Sequence, residues 1–214
     1  QTESGWHLQG EKHWISAGAS ATHFAVLADS CNGLAWVLVA KEAAGLNCET
    51  FPTHDGKGGA NCHFDLAISD DQILLMGDAA AEALSAFREC AMVVSSAETL
   101  GAAQAALDTT VDYTKQREQF GQPLASFQAL QHRMANMLIQ TELTRSLVYA
   151  ACDAADRDAM DRGRFARAAK VKSAAVGRKV TQEAIQLHGG IATTDEYIVG
   201  HFFKRVTALE TWVC

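Results

Sequence analysis

Side chains that could hold a phosphate-bearing ligand lie where one predicted helix stops and the next begins. The first helical pattern ends at Gly121, and a short turn containing Pro123 precedes the second. The cation, the aromatic ring and the amide groups at this junction belong to Arg117, Phe120, Gln128 and Gln131. Arginine is a strong partner for phosphate, and backbone N–H groups add further donors. The junction therefore predicts an anion-binding site, although a cation near a helix C-terminus is also favourable for structural reasons alone.

Two further segments offer contacts to a cofactor. Gln186 precedes the pair Gly189–Gly190, where backbone amides can approach a ligand closely because no Cβ intervenes; a plain helix-ending turn is the alternative. The other segment consists of Trp14, Ile15 and Ser16. A buried indole beside a hydroxyl suits the wall of a flat heteroaromatic ring, and a tryptophan that belongs only to the core is the alternative.

Composition restricts the classes of partner. The chain has 214 residues, of which 48% are hydrophobic and 20% charged, with a formal net charge of −7. These values favour one or two domains with a real core, and they argue against a nucleic-acid partner, which requires surplus Lys and Arg. Residues 1–76 carry 3 basic and 9 acidic side chains, whereas residues 77–214 carry 15 and 16. We therefore expect an anionic ligand in the second part of the chain.

Cysteine and histidine spacing argues against a metal site. The eight histidines are dispersed, and the six cysteines show neither a zinc pattern nor a CxxC pair. We expect reduced thiols, a cytoplasmic location and no membrane span, since no apolar run is long enough. The cysteines are Cys31, Cys48, Cys62, Cys90, Cys152 and Cys214.

Strand-like and helix-like patterns divide the chain into two parts. In residues 1–76, short apolar or alternating runs are separated by glycine-rich turns, which is typical of a small β-barrel or sandwich. The runs begin at Trp6, Trp14, His23, Leu34 and His63. In residues 77–214, helical spacing predicts four helices joined by short turns in an up-down bundle. The expected fold class is therefore α+β, with the β-domain first.

Capping and glycine signals predict the helix boundaries. We expect the first helix to run from Asp78 to about Gln119, and the second to start after an N-cap at Ser126. Gly163 is expected to break the second helix from a third, which stops at Gly189–Gly190.

A fourth, weaker helix is expected at about residues 195–209.

Taken together and in this order, these segments resemble the acyl-CoA dehydrogenases from residue 6 to about residue 210. The matching stretches are Gly10-Glu-Lys-x-Trp14-Ile15-Ser16, Tyr113-x3-Arg117-x-Gln119-Phe120-Gly121-x-Pro123-Leu124, Phe127-Gln128-x2-Gln131-His132, Gln186-Leu-His-Gly-Gly190 and Asp195-Glu196-Tyr197. The resemblance implies a middle β-domain followed by a C-terminal four-helix domain, without the family's N-terminal helical domain. We expect this chain to be one piece of a larger polypeptide, or to lack residues at both ends.

The resemblance also implies an FAD bound between subunits. The flavin of the same subunit would then be contacted by Trp14, Ile15 and Ser16. By the same resemblance, the pyrophosphate and adenine end of a neighbour's FAD would be held by Arg117, Phe120, Gln186, Gly189 and Gly190. Further polar contacts would come from Gln128 and Gln131.

The chain departs from the family at the catalytic base. In the family, a carboxylate removes the α-proton of an acyl-CoA while the β-hydride passes to the flavin, giving a 2-enoyl-CoA. Val213 stands at the usual position of that base, Ala91 at an alternative one, and Met92 at the position of a substrate-side arginine. None of these side chains can take a proton or pair with an anion. The nearest carboxylates in sequence, Glu210 and Glu89, are the candidates on this chain.

Three explanations are compatible with this departure. Another carboxylate of this chain is the base, a partner subunit supplies it, or the chain no longer dehydrogenates. We favour the second, which predicts a tetramer with a second acyl-CoA dehydrogenase subunit and a bulky steroid or bile-acid substrate. A non-catalytic FAD-holding or scaffolding subunit and an acyl-CoA oxidase are the alternatives. The resemblance implies an electron-transfer flavoprotein as electron acceptor.

Overall fold

The computed structural model describes residues 5–213, which belong to two compact units. Unit 1 comprises residues 1–87 and unit 2 comprises residues 88–214. Strands give way to helices between Met76 and Asp78, because the first helix begins just after Gly77. That helix therefore contributes residues to both units.

Unit 1 is built from six antiparallel strands in two three-stranded sheets. They are β1 (Trp6–Ser16), β2 (His23–Ser30), β3 (Gly33–Ala40), β4 (Leu46–Phe51), β5 (Gly59–Ile68) and β6 (Ile73–Met76). The sheet orders are β1-β5-β4 and β2-β3-β6. Side chains alternate between the two faces of a strand, so every second residue of β5 from Ala60 to Ile68 is buried in one core shared by both sheets. The expected small barrel or sandwich is confirmed.

Strand β1 is longer than the sequence patterns predicted. The runs at Trp6 and Trp14 form a single strand that passes through Gly10. Its pairing with β5 shifts register between Lys12 and Ile15, which is the mark of a β-bulge. Strands β4 and β6 were not predicted, since one is largely polar and the other has only four residues.

The expectation of reduced thiols is wrong for two of the cysteines. Cys48 of β4 and Cys62 of β5 are joined by a disulfide bond. The register of the two strands places them directly opposite each other, a proximity that their separation in sequence does not reveal. Cys31, Cys90 and Cys152 are not part of a disulfide bond, and Cys214 lies outside the described residues.

Four helices with short connections confirm the predicted helical part. They are α1 (Asp78–Gln116), α2 (Gln128–Asp156), α3 (Arg162–His188) and α4 (Ile198–Thr211). Within unit 2 they share a core to which α1, α2, α3 and α4 contribute Leu107, Met137, Val180 and Val199. Within residues 5–213, no helix combines the length and the apolar character that a membrane span requires.

Two helix signals were misinterpreted. The N-cap of α2 is Phe127 and not Ser126, whose hydroxyl donates to Pro123 O at 2.7 Å. Gly163 does not break a helix, because α2 ends at Asp156 and Gly163 lies in the first turn of α3. A Cβ at this position would lie 2.5 Å from Glu89 Oε1, so the glycine serves close packing.

A second buried glycine, Gly177, lies where α3 packs tightly against α1 and α4. A Cβ there would collide with the methyl group of Thr99 on α1 and would lie 3.0 Å from Val206 Cγ1 on α4. Gly101 in α1 differs, since no atom lies within 4 Å of the corresponding point.

This difference predicts opposite effects of two alanine substitutions. Both Gly177→Ala and Gly101→Ala raise helix propensity by about 1 kcal/mol, but only the first adds a methyl group where there is no room. We expect Gly177→Ala to be less stable than Gly101→Ala by roughly 1–3 kcal/mol in urea unfolding. Equal stability of the two variants would contradict the packing described for α3.

Candidate functional site

The ends of α1 and α3 are joined by Tyr113 and His188. Their rings are stacked, with centroids 4.3 Å apart and planes inclined by 29°. The Tyr113 hydroxyl also donates to the backbone oxygen of His188 at 3.3 Å. Arg117 follows Tyr113 by about one helical turn, and Gly189 follows His188 directly. Two of the segments predicted to bind a cofactor therefore meet in unit 2.

A tight hairpin follows α1. Strands β7 (Glu118–Gln119) and β8 (Gln122–Pro123) pair in antiparallel fashion. The two residues between them, Phe120 and Gly121, have φ angles of 56° and 79°. Two consecutive residues with positive φ in a two-residue hairpin loop correspond to a type I′ turn. The hairpin reverses the direction of the chain between α1 and α2 through a loop of only two residues.

Phe120 is unusual in both conformation and exposure. Non-glycine residues seldom adopt a left-handed conformation, and such strain is concentrated at functional sites. The Phe120 side chain is 90% exposed and contacts the ring of Phe127 edge-on at a centroid distance of 6.1 Å. A strained, exposed aromatic ring is better explained by an external partner than by folding.

The Arg117 side chain is exposed and available to an anion. Within residues 5–213, its guanidinium has no hydrogen-bond or ion-pair partner. Six other arginines of unit 2 pair with carboxylates, namely Arg133, Arg145, Arg157, Arg162, Arg178 and Arg205. Because Arg117 stands apart from these pairs, its charge is not neutralised locally.

The start of α2 adds a partial positive charge on the other side of the hairpin. Phe127, the N-cap residue, forms no side-chain cap, and the first turn contains no acidic residue. The unsatisfied N–H groups of a helix start favour an anion. Gln128 is exposed there, whereas Gln131 uses its amide group to donate to Ala125 O at 2.7 Å. Gln131 therefore shapes the turn before α2.

The double glycine leaves open space at the end of α3. Gly189 caps the helix with a φ angle of 69°, and a short 3-10 turn, Gly189–Thr193, follows. Apart from the glycine itself and its immediate neighbours along the chain, no atom lies within 4 Å of the point that a Cβ would occupy at Gly189 or Gly190. Gln186 is exposed one turn earlier. A ligand can thus reach the backbone of this turn.

His188 is buried behind the double glycine and carries an unusual polar atom. Its side chain is 5% exposed, and Nδ1 lies 2.8 Å from Ala184 O. Burial lowers the pKa of the imidazole below its ordinary value of 6.5. Nε2 is the only buried side-chain N or O atom without a partner among the described residues. The Tyr197 ring lies nearby, with a centroid distance of 5.0 Å.

In unit 1, Trp14 is not buried as expected. It lies in the bulge of β1 with a φ angle of 56°, and its side chain is 77% exposed. The backbone N–H of Trp14 donates to Asn61 Oδ1 at 3.0 Å, and the indole ring meets the Phe51 ring edge-on at a centroid distance of 5.0 Å. Bulges frequently redirect a side chain at a functional site, and this one turns the indole out of the core.

The rest of this segment, Ile15 and Ser16, is half-buried and exposed respectively. Asn61 and Phe51 were not singled out in the sequence, because strands that are distant in the chain bring them to Trp14.

The two candidate carboxylates are both paired with arginines. Glu210 Oε2 accepts from Arg178 Nε at 2.7 Å, and Glu89 Oε2 accepts from Arg162 Nε at 2.8 Å. Hydrogen bonding to Glu210 raises the pKa of Arg178. A catalytic base needs an apolar pocket that raises the pKa of the carboxylate, and an ion pair with arginine is a different environment.

The two positions at which the resemblance places a catalytic base carry no ionisable group. Ala91 is buried, and Val213 is half-buried with a φ angle of 58°. No group of three or more His, Cys, Asp or Glu side chains within residues 5–213 is placed to hold a metal ion.

Comparisons of this chain with known proteins all indicate the same family. The family model described as acyl-CoA dehydrogenase, C-terminal domain, matches residues 76–213. The chain is 31% identical over 208 residues to the probable acyl-CoA dehydrogenase fadE25 of Mycobacterium leprae, a match that covers 93% of this chain and 54% of the relative. It is 41% identical over 117 residues to acyl-CoA dehydrogenase IpdE2 of Mycobacterium tuberculosis, covering 55% of this chain and 35% of the relative.

A solved variant of the Tcur3481-Tcur3483 steroid ACAD has the same fold. The TM-score is 0.87 at 31% identity, and the match covers all of this chain and 57% of that one. The chain thus spans about half the length of fadE25 and of this structure.

The buried imidazole predicts a pH-dependent stability. An unfolded His188 takes up a proton near pH 6.5, whereas the folded one resists protonation, so acid favours the unfolded chain. The contribution is therefore fully present above pH 6.5 and is lost as the pH falls toward the lowered folded pKa. Urea unfolding between pH 7.5 and 5 should show a steeper loss for the native chain than for His188→Phe. Parallel pH profiles of the two proteins would refute this assignment.

Proposed function

Because this chain belongs to the acyl-CoA dehydrogenase family, we propose that it holds FAD for the α,β-dehydrogenation of an acyl-CoA to a 2-enoyl-CoA. FAD, when bound, supplies the acceptor for the substrate hydride. The observation that carries this proposal is the meeting of Arg117 and the double glycine through Tyr113 and His188. In this proposal, residues 1–76 are the middle β-domain and residues 77–214 the C-terminal four-helix domain.

The residues at the ends of α1 and α3 fit the phosphate and adenosine parts of such a cofactor. Arg117 has donors in a fixed fork and no local anion to neutralise it, so it can pair with a pyrophosphate. The uncapped start of α2 adds backbone donors, with Gln128 beside them. Open space beside Gly189 and Gly190 admits the ligand, and Gln186 is exposed toward solvent there. Phe120 offers an exposed apolar face.

The Trp14 segment fits the flavin end. Its indole is turned outward by the bulge. Asn61 holds the backbone of Trp14 and Phe51 contacts its ring, so the indole offers a preorganised flat wall. Ser16 is exposed and can donate or accept a hydrogen bond. Ile15 anchors the segment in the core of unit 1.

We further propose that the site is shared between subunits. Between residues 128 and 149 on α2, the exposed side chains include only one charged group, Glu142. The large apolar ones are Leu138, Ile139, Leu143 and Tyr149. Depletion of charge together with exposed aliphatic and aromatic side chains is typical of an interface core. A tetramer with a second acyl-CoA dehydrogenase subunit would cover this surface.

The ion pairs of Glu89 and Glu210 support a catalytic base from the partner subunit. Each carboxylate is paired with an arginine, and neither has the apolar surroundings of a general base. The solved steroid ACAD is named after two proteins, Tcur3481 and Tcur3483, and this likeness supports a heteromeric steroid or bile-acid acyl-CoA dehydrogenase as the relevant branch. An electron-transfer flavoprotein is the proposed electron acceptor.

The same ion pairs favour a second candidate, a subunit that holds FAD without catalysing the reaction. This candidate differs from the first in that no partner completes a dehydrogenase site.

Removal of the Arg117 charge should weaken FAD retention. A charge-assisted contact to phosphate is worth roughly 1.5–3 kcal/mol, so Arg117→Ala should lower FAD affinity about ten- to a hundredfold. Flavin fluorescence during titration measures this effect. Arg164→Ala, which removes an exposed arginine at the start of α3, is the matched control and should retain FAD. Unchanged flavin occupancy in Arg117→Ala would contradict the role of Arg117 in binding FAD.

The candidate carboxylates can be tested by isosteric amides. If the partner supplies the base, Glu210→Gln and Glu89→Gln should keep turnover of the purified holoenzyme within a few-fold of the native value. A true base is typically worth a factor of about 10²–10⁴ or more. Turnover of an acyl-CoA is followed through reduction of an electron-accepting dye. A collapse in rate with FAD still bound would place the base on this chain.

A further inference from the structure

His188 Nε2 is a buried polar atom that nothing in the described part of the chain satisfies. We propose that His188 binds the nucleoside part of the dinucleotide, with Nε2 accepting a hydrogen bond from a ribose hydroxyl or the adenine amino group. This inference rests on the proposed FAD-holding function and assigns one residue a specific role in it.

The tautomer of His188 follows from its neighbours. The Ala184 carbonyl oxygen lies 2.8 Å from Nδ1 and can only accept, so Nδ1 carries the proton. Burial disfavours the charged imidazolium, which leaves Nε2 unprotonated. In this neutral form Nε2 is a pure acceptor. The missing partner must therefore be an N–H or O–H donor.

The requirement for a donor divides the ligand into two parts. At neutral pH the oxygens of a pyrophosphate diester carry no protons, so they cannot satisfy Nε2. They are matched instead by Arg117, which has donors only. Ribose hydroxyls and the adenine amino group are donors, and they lie at the end of the dinucleotide beyond the pyrophosphate. His188 and Arg117 are thus complementary to different parts of one molecule.

The position of His188 fits this role. It directly precedes Gly189, beside which the space is open to a ligand. Stacking on Tyr113 fixes one face of the imidazole, while Tyr197 packs at 53° against it. Nε2 itself has almost no exposed surface. Tyr197 is half-buried at the N-cap of α4, and the proposal requires its ring to turn aside when a donor reaches Nε2.

Two substitutions at His188 separate hydrogen bonding from stacking. Phenylalanine keeps a ring against Tyr113 but cannot accept a hydrogen bond, whereas glutamine places an acceptor near the position of Nε2 without a ring. The probes are ADP, which contains the nucleoside, and inorganic pyrophosphate, which lacks it. Calorimetric titration of the full-length chain should show ADP affinity about tenfold lower for His188→Phe and within threefold of native for His188→Gln. Pyrophosphate affinity should be unchanged in both variants.

The native chain provides a test that does not depend on the folding of a variant. With ¹⁵N-labelled histidine, the Nε2 resonance of His188 should shift on saturation with ADP and stay constant with pyrophosphate. A constant Nε2 resonance with ADP bound, or equal loss of ADP and pyrophosphate affinity in His188→Phe, would overturn the assignment. If the native chain bound neither FAD nor ADP, the FAD-holding function itself would fail. Normal FAD and ADP binding by His188→Phe would remove only the role of His188.

Discussion

The stacked pair of Tyr113 and His188 is the contact on which the candidate site in unit 2 depends. It joins the last turns of two long helices, so that a hairpin carrying a cation and a turn carrying two glycines hold one relative position. Each loop alone would be a plain helix end, for which a structural explanation is sufficient. Joined by a packed aromatic contact, the loops present a charged donor and accessible backbone amides together. Preorganisation of this kind reduces the entropy that a bound ligand would otherwise have to overcome.

Two aromatic residues, one in each unit, show how the backbone exposes rings that would normally be buried. Trp14 and Phe120 both have φ angles of 56°, and both are largely exposed. Strained positions of this kind cost of order 1–3 kcal/mol and persist only where the surrounding structure enforces them. The bulge of β1 and the β7–β8 hairpin supply that enforcement. A fold that optimised stability alone would have placed glycine or asparagine at these positions and kept the rings inside.

Much of the fold is local in origin and could therefore be predicted from the sequence. The four helices, the stop at Gly189 and the strand-rich first part follow from spacing and glycine signals. What could not be predicted depends on pairing between distant segments. The Cys48–Cys62 bond arises from strand register, and the tight fit at Gly163 arises from a neighbouring helix. The same limit applies to the site: its residues were recognised through resemblance, while the Tyr113–His188 contact and the unsatisfied Nε2 required the three-dimensional arrangement.

The electrostatics of unit 2 argue for a separation between cofactor holding and proton removal. A residue that binds phosphate must stay charged and unpaired, which is the state of Arg117. A carboxylate that removes a proton from carbon must be destabilised in its charged form, so that its pKa rises toward neutrality. Glu89 and Glu210 are instead paired with arginines, which is not the apolar environment that such a base requires. The chain thus keeps the groups suited to holding a dinucleotide while its nearest carboxylates are committed to structure. A site completed by a second subunit reconciles these properties, because the proton acceptor then needs no place on this chain.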